Sequence, residues 1–494
     1  MPIESDRRER EAEPAAVIAP HDALPSLATA LTEEAMKGYM QETLFGAESG
    51  YSVERCAPTR PLYVPAEWCM VRYEVVARNH ATGDVVDPLV TGRVFPDRAA
   101  CEAYMDEKLA PLARRMRGRP EVAAFAAPAA VIEPLHMAAH VWPVDGELPT
   151  LVDVTDHPRM LELFRELLPS ALEPFVVDDC RIERVSYRRR QRCVLRYTVE
   201  GRTPGSDARS IVLYGKVTGV GADTLANPAV DALRAHVRRH GDRVVLPRLL
   251  AWRPDVGLAL LEAVPGEGQI RRSVRRRLRG RPPPGGVPLE EMVATCAHAA
   301  ALLHTSDVDV GPVRAFADEL AALGGEVEAA ARFVPGFGER ARGWLERIAA
   351  LGEASPQLGL ALGHGDFNHG QFVFDGARGA LLDLDTLCRA EPGLDVGKFT
   401  AHLRAETEKL RRRYGVSSAL GDELADCFLR AYADATVATP ADERRLLARA
   451  AVYEALALLR LAVRSRHDFE DTRFEIATAL LEQRLAAAVS PRRT

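Results

Sequence analysis

Lysine is scarce in this chain. Only five occur in 494 residues, at positions 37, 108, 216, 398 and 409, and every other Lys/Arg position holds arginine. A lysine here has escaped a strong bias. Lys216 stands in the middle of an apolar run, IVLYGKV at 211–217, and so asks for a chemical reason. Other absences remove whole classes of function. No window of 18 apolar residues occurs, so neither a transmembrane helix nor a membrane partner is expected. The opening MPIESDRRERE is charged and reads as neither a signal peptide nor an anchor. None of the eight cysteines forms a CxxC pair, and without an export signal they are expected to be reduced thiols of a cytoplasmic protein. The net charge is −6, with no basic excess, so nucleic acid is not an expected partner. What remains is ordinary globular composition, 47% hydrophobic and 27% charged, and length for two or three domains.

The densest chemistry lies in HGDFNHGQFVFDGARGALLDLD, residues 364–385. Phe372, Val373 and Phe374 make a short apolar strand, and Asp375-Gly376 is a hairpin turn signal. Ala380, Leu381 and Leu382 return as a second strand and deliver Asp383 beside Gln371. Magnesium wants hard oxygen ligands, few from protein and the rest from phosphate and water. An amide and a carboxylate on paired strands meet that demand. Asp366 is then placed to accept or orient a hydroxyl proton, while His364 braces the loop and completes the catalytic pair. Asp385, two residues beyond Asp383, has three open readings: a second metal, a substrate amine, or solvent. Asn368 is a further candidate for assisting metal or substrate. The competing reading is a surface hairpin after a polar loop. The combination of HGD, the amide at the fifth position, the DG turn and the terminal Asp favours phosphoryl transfer.

These residues resemble the catalytic and metal loops of the aminoglycoside phosphotransferase / choline kinase family, the small-molecule branch of the protein-kinase-like fold. The resemblance continues into EPGLD at 391–395, similar to the family's G-D-P-x-x-D segment, whose last Asp anchors the next helix. Two positions depart: Gln371 stands for the usual Asn, as in the maltokinase-like branch, and Glu391 for the usual Asp. The resemblance implies an α+β bilobal fold with a β-rich N-lobe and a helical C-lobe. It also implies ATP and Mg as cofactors, with Gln371 and Asp383 holding the metal and Lys216 holding the α- and β-phosphates. In the family an acid on the next helix holds this lysine. Asp231 is the best-placed acid on the segment 227–234. The strand LLEAVPG at 260–266 resembles the interlobe hinge, where backbone groups at Glu262 to Val264 would meet the adenine edge.

A repeat runs through the first half of the chain. At an offset of 124 residues, Cys56, Tyr63, Cys69, Arg72, Tyr73 and Val75 recur as Cys180, Tyr187, Cys193, Arg196, Tyr197 and Val199. CMVRYEV and CVLRYTV alternate as strands do, and Met36 and Leu44 answer Met160 and Leu168. The expected organisation is a disordered tail at 1–30, a non-catalytic N-lobe-like unit at 31–150 serving as cap or dimerisation unit, the kinase-like N-lobe at 151–265, and the helical C-lobe at 266–494. In the front unit Arg93 takes the place of Lys216. A bulky planar guanidinium does not replace a compact ammonium on phosphates without rearrangement.

Three stretches carry alternatives. RRRQR at 188–192 sits where a glycine-rich loop would cover the nucleotide, and its arginines either touch phosphates or lie in solvent. RRSVRRRLRGR at 271–281 is either a solvated helix face or a clamp for an anionic group. The repeated cysteines read as buried small residues on paired strands, against a disulfide or metal role. Helices are expected at about 289–304, 313–331 and 338–351, and from Asp395 to about 488. The expectation is an ATP- and Mg-dependent phosphotransferase acting on a hydroxyl of a small molecule: an aminoglycoside or other antibiotic, a sugar or a metabolite. The alternative is a catalytically inactive, nucleotide-binding pseudokinase with a scaffolding or regulatory role.

Overall fold

Two antiparallel sheets follow one another along the chain with the same strand order. The computed structural model describes residues 24–489 except 65, 172–174, 189–191, 203–207, 219–225, 333, 335 and 469. In the front sheet, β1 (Tyr51–Val64), β2 (Trp68–Asn79) and β3 (Leu89–Val94) are followed by β4 (Ala129–Ile132) and β5 (Met137–Val141), and the spatial order is β1-β2-β3-β5-β4. In the second sheet, β6 (Val176–Arg188), β7 (Arg192–Arg202) and β8 (Ala208–Thr218) are followed by β9 (Leu249–Arg253) and β10 (Leu258–Glu262), in the order β6-β7-β8-β10-β9. Each sheet has helix between its third and fourth strands: a run of helical segments from 98 to 115 in front, and α3 (Pro228–His240) behind. Each also follows an amphipathic helical segment, α1 (Glu33–Met40) in front and α2 (His157–Ala171) behind.

The register carries the sequence repeat residue by residue. Tyr63 lies opposite Cys69 as Tyr187 lies opposite Cys193. Met70 lies opposite Arg93 as Val194 lies opposite Lys216, so the two cations hold equivalent places. The Tyr73 hydroxyl donates to the Ala30 carbonyl at 2.8 Å, and the Tyr197 hydroxyl to the Val154 carbonyl at 2.9 Å, again 124 residues on. Leu24, Leu27 and Ala30 are buried, like Leu148, Leu151 and Val154. The expected tail at 1–30 and the boundary at 31 are thus corrected. The packed chain reaches back to Leu24, because those small and apolar side chains close the bottom of the front core. Residues 1–23 lie outside the described residues.

The second half is helical with short hairpins, giving an α+β whole. α4 (Leu289–His304), α5 (Gly393–Tyr414), α6 (Leu420–Thr436), α7 (Pro440–His467) and α8 (Asp471–Val489) form its frame. Further helices span Phe316–Ala331 and Phe337–Ala354. Against this frame sits the hairpin β11 (Phe372–Asp375) and β12 (Arg378–Leu381), with Phe372 opposite Leu381 and Val373 opposite Ala380. Phe367, Phe372, Phe399 and Phe428 pack into one aromatic core beneath it. Burial of such rings is the main force fixing the loop above them.

The front unit touches both halves that follow it. Arg72 donates to the Tyr187 carbonyl at 2.8 Å and its guanidinium lies over the Tyr187 ring. Tyr187 in turn donates to the Asp145 carboxylate, and Arg184 lies over Trp142. On the other side the His467 ring is 3.3 Å from the Tyr63 carbonyl.

Candidate active site

The hairpin aims its polar residues at one point of the cleft. After β12 the chain turns sharply, with Asp383 in the left-handed region at φ 67° and ψ 54°. That conformation is costly for a residue with a side chain, and residues held so cluster at functional sites. Here it swings the Asp383 carboxylate off the strand and toward β8. Lys216, 5% exposed, forms ion pairs with Asp383 and with Asp385. Arg192, the first residue of β7, pairs with Asp383 from the other side. Burial pushes the Asp383 carboxyl up, but Lys216 and Arg192 outweigh it and hold it down to about 2.

Asp366 stands next in the row. Its Oδ1 is 2.7 Å from Lys398 Nζ, and its Oδ2 accepts from Gln371 Nε2 at 2.9 Å. Gln371 Nε2 also lies 3.3 Å from Asp383 Oδ2. Burial raises the Asp366 carboxyl, and Lys398 draws it below the usual range, so it is ionised. A carboxylate of that kind is a weak base and a good orienting group. Phosphoryl transfer, with its loose transition state, asks for position and charge rather than base strength.

The loop is held from behind by Asp395 in the first turn of α5. Its carboxylate accepts from the backbone N–H of His364 at 2.6 Å and of Gly365 at 2.9 Å. The His304 ring lies 3.2 Å away and itself meets the Tyr432 hydroxyl at 2.7 Å. Burial raises the Asp395 carboxyl, but these donors draw it below the ordinary range. His364 is fully buried, with Nε2 2.9 Å from the Leu382 carbonyl. That contact braces the loop against the turn after β12. Asn368 is spent on the loop as well: Oδ1 accepts from Gly370 N–H at 2.9 Å and Nδ2 donates to the Asp366 carbonyl at 2.9 Å. Glu391 makes a two-pronged pair with fully buried Arg449, both contacts at 2.6 Å.

Asp231 does not meet Lys216. It is exposed on the first turn of α3, where it pairs with Arg234 at 2.5 Å. The helix turns its apolar face, Val230, Leu233 and Val237, into the core instead. The two acids that Lys216 does meet, Asp383 and Asp385, come from the turn after β12. Glu262 is exposed, its carboxylate 3.3 Å from Arg248 and its N–H spent on the Arg248 carbonyl at 2.9 Å. Val264 follows in an irregular segment beyond the end of β10. Beyond it, Gly266 at φ 124° lets the chain touch the hairpin: a β-carbon there would lie 2.6 Å from the Phe374 carbonyl. Glu267 and Phe374 exchange backbone hydrogen bonds at 3.0 and 2.8 Å. The segment after β10 is thus tied directly to β11.

The arginine run forms a helix, Ile270–Leu278, whose cations pair with Glu406 and Glu267 and cover Tyr414. This is the solvated-face reading. The four repeated cysteines are buried free thiols facing Val or Tyr across the sheets, and burial pushes Cys56 and Cys193 up to about 12. Of the glycine-free loop, residues 189–191 lie outside the described residues; Arg192 reaches the site. Lys398 and the Lys216–Asp385 pair were not singled out by the sequence. The scarcity of lysine was a signal for Lys398 as much as for Lys216.

Residues 224–426 match the model of the Phosphotransferase enzyme family, APH. The match holds the catalytic loop, the hairpin and Asp395, and it begins after Lys216. A choline/ethanolamine kinase family protein from Mesorhizobium loti is similar at 18% identity and TM-score 0.44, covering 67% of this chain and 99% of that one. Choline kinase from Cryptosporidium parvum Iowa II gives 11% and 0.45, covering 67% and 95%. Macrolide 2'-phosphotransferase MphH from Brachybacterium faecium gives 15% and 0.38, covering 69% and 99%. No curated protein matches the chain. Among the described residues no helix is long and apolar enough to cross a membrane.

The residues fit magnesium. Asp385 Oδ1 is buried without a hydrogen-bond partner, and Asp383 supplies a second carboxylate beside it. Gln371 presents its Nε2 to the carboxylates, and a half-turn of the amide presents Oε1 instead. Two carboxylates and an amide oxygen make a hard donor set.

Proposed function

We propose that this chain is an ATP- and Mg-dependent phosphotransferase acting on a hydroxyl group of a small molecule. The observation that carries the reading is the meeting of Lys216 from β8 with Asp383, and through it Gln371 and Asp366, from the loop and turns that flank the β11–β12 hairpin. In this reading Gln371, Asp383 and Asp385 would hold the metal, which when bound would supply positive charge to neutralise the phosphates. Lys216 and Arg192 leave their carboxylates to take the nucleotide phosphates. Asp366 orients the acceptor hydroxyl and receives its proton, with Lys398 beside it offsetting the charge. His364, Asn368 and Asp395 keep Asp366 in place. The backbone near Val264 meets the nucleobase. The front unit, with Arg93 sealed between Trp68 and Tyr104 and paired with Glu147 at 2.7 Å, is a duplicated N-lobe without a phosphate site.

The test is ADP release with Mg-ATP against sugars, aminoglycosides and amino alcohols, with Asp366→Ala as control. Acceptor-dependent release lost in the variant supports the reading. Nucleotide binding without turnover on any acceptor favours the inactive, scaffolding protein instead. That second reading draws on one specific observation, the absence of an acid on α3 facing Lys216.

A further inference from the structure

Lys398 stands one turn beyond Asp395 on α5 and reaches a loop that is held without it. Its Nζ lies 3.0 Å from the Gly365 carbonyl and 2.7 Å from Asp366 Oδ1. The Gly365 carbonyl also accepts from Arg314 Nη1 at 3.3 Å, and the N–H groups of His364 and Gly365 are taken by Asp395. The other oxygen of Asp366 has Gln371. With the Lys398 ammonium removed, each of these backbone groups keeps a partner. An ammonium has three donors. Two face Gly365 and Asp366, and no third partner is found among the described residues. The Lys398 side chain is 14% exposed and that of Asp366 28%, so the pair is open on one side.

The residue type points the same way. Arginine fills nearly every cationic position of the chain, and Lys398 is one of five exceptions. A guanidinium would serve to offset a charge. A compact ammonium with rotatable donors serves where one N–H is to follow a small moving group. Charge offset alone even works against the step. Burial raises the Asp366 carboxyl and Lys398 draws it lower, which weakens it as a proton acceptor. The cation helps transfer only if it also acts on the phosphoryl group.

Resting on the phosphotransferase reading, we infer that Lys398 is a catalytic residue whose third N–H meets an oxygen of the phosphoryl group during transfer. A hydroxyl donating to Asp366 Oδ1 shares that oxygen with Lys398. Two partners of one carboxylate oxygen stand about 4–5 Å apart. Oxygens on a phosphorus joined to that hydroxyl then fall within hydrogen-bond reach of Nζ. In the step, the bond from the acceptor oxygen to the γ-phosphorus forms as the bond from phosphorus to the bridging oxygen breaks. ADP leaves with that electron pair, the acceptor proton goes to Asp366, and Lys398 stays an ammonium throughout. A contact made in the transition state raises turnover and leaves the ground-state binding of nucleotide alone.

The test compares wild type with Lys398→Met and Lys398→Arg on the whole chain. Met keeps the stem and removes every donor. Arg keeps a positive charge beside Asp366 and replaces the compact head by a planar fork. Calorimetry reads the affinity of ADP with Mg, alone and with aluminium fluoride, which completes ADP into a mimic of the phosphoryl group in transfer. ADP release from Mg-ATP, with water as acceptor, is read beside it. In wild type the fluoride should tighten ADP about a hundredfold. Both variants should lose most of that gain and about 10²–10³ in turnover, with ADP alone within about twofold of wild type.

Fluoride that tightens ADP equally in all three chains, or not at all in wild type, overturns the inference. So does an Arg variant that matches wild type, since charge beside Asp366 would then suffice. Weakening of ADP alone as large as the loss with fluoride makes Lys398 a brace of the site and overturns it as well. If the Met variant does not fold, the Arg variant decides. The two proposals fail differently. Wild-type ADP release that is untouched in both variants leaves the phosphotransferase standing and removes Lys398 from the step. A wild type that releases no ADP from Mg-ATP with water, sugars, aminoglycosides or amino alcohols counts against the phosphotransferase, and the role of Lys398 falls with it.

Discussion

Replacing Asp395 by Asn tests whether the catalytic loop is held by charge or merely by shape. The substitution keeps the volume and removes the negative charge. In the native site two backbone N–H groups, at His364 and Gly365, donate to this carboxylate, with His304 as a third neighbour. An amide has one oxygen, so one N–H faces an NH2 group and is left unmade in a dry site. That costs about 1–3 kcal/mol. The surviving hydrogen bond loses its charge assistance, about 1 kcal/mol more, and His304 loses a charged hydrogen-bond partner. The sum is about 2–4 kcal/mol, which overlaps the cost of breaking a buried charged pair. For a helical half of this size each kcal/mol moves the melting point by about 2–4 °C, so the drop should be about 10 °C.

Differential scanning calorimetry at pH 7 checks it. The sign with pH is fixed. The Asp395 carboxyl is below its ordinary range in the folded chain, so its contribution is present above the unfolded value, about 3.9, and is lost as pH falls through the lower folded value. The gap between wild type and variant should hold from pH 7 to about 5 and close in stronger acid. A variant melting within about 2 °C of wild type at pH 7 would refute the account.

Four further outcomes follow from the same geometry. Lys216→Ala should abolish thermal stabilisation by Mg-ATP, because the phosphates lose their cation and Asp383 and Asp385 lose their buried partner; an unchanged shift sinks the assignment of Lys216. Gly266→Ala forces a β-carbon against the Phe374 backbone, and should lower stability by about 1–3 kcal/mol and raise the KM for ATP, measured by denaturant melts and steady-state kinetics. Arg93→Ala should weaken the front unit by about 2 kcal/mol through lost stacking and the Glu147 pair, yet leave nucleotide affinity as it was; a loss of one bound nucleotide per chain in calorimetry would make the front unit a second nucleotide site. Arg72→Ala removes the donor to the Tyr187 carbonyl, and should raise the KM for ATP several-fold with little change in melting, since Tyr187 precedes the turn that delivers Arg192.

The site was legible because its parts are local. From His364 to Asp385 the chain makes one loop and one hairpin, so spacing alone carries Gln371 to Asp383, and the DG turn sets the register that Phe372 and Leu381 share. The repeat was legible for a related reason: side chains alternate along strands, and a shared register keeps Tyr and Cys opposite one another in both sheets. Tertiary choices were not legible. Whether α3 presents Asp231 or Val230 to the core depends on what packs beneath it, and α4, some 50 residues further on, left no mark on its own sequence. Lys398 is 32 residues from Asp366 along the chain and meets it only because α5 starts at the catalytic loop. The strand beyond Leu382 gave way to a left-handed turn at Asp383, a conformation that strand alternation does not predict. The tail was misread at 24–30 because a stretch rich in Ala and Pro conceals three core positions.

Two lobes joined by a single hinge swing like a door. Here the hinge is not alone. The front unit grips β6 of the second sheet at Tyr187 through Arg72 and Asp145, and it rests on the end of α7 through Tyr63. Three attachment points define a plane, and a body fixed at three points does not rotate about one of them. Wide opening of the cleft therefore requires the front unit to let go of one side.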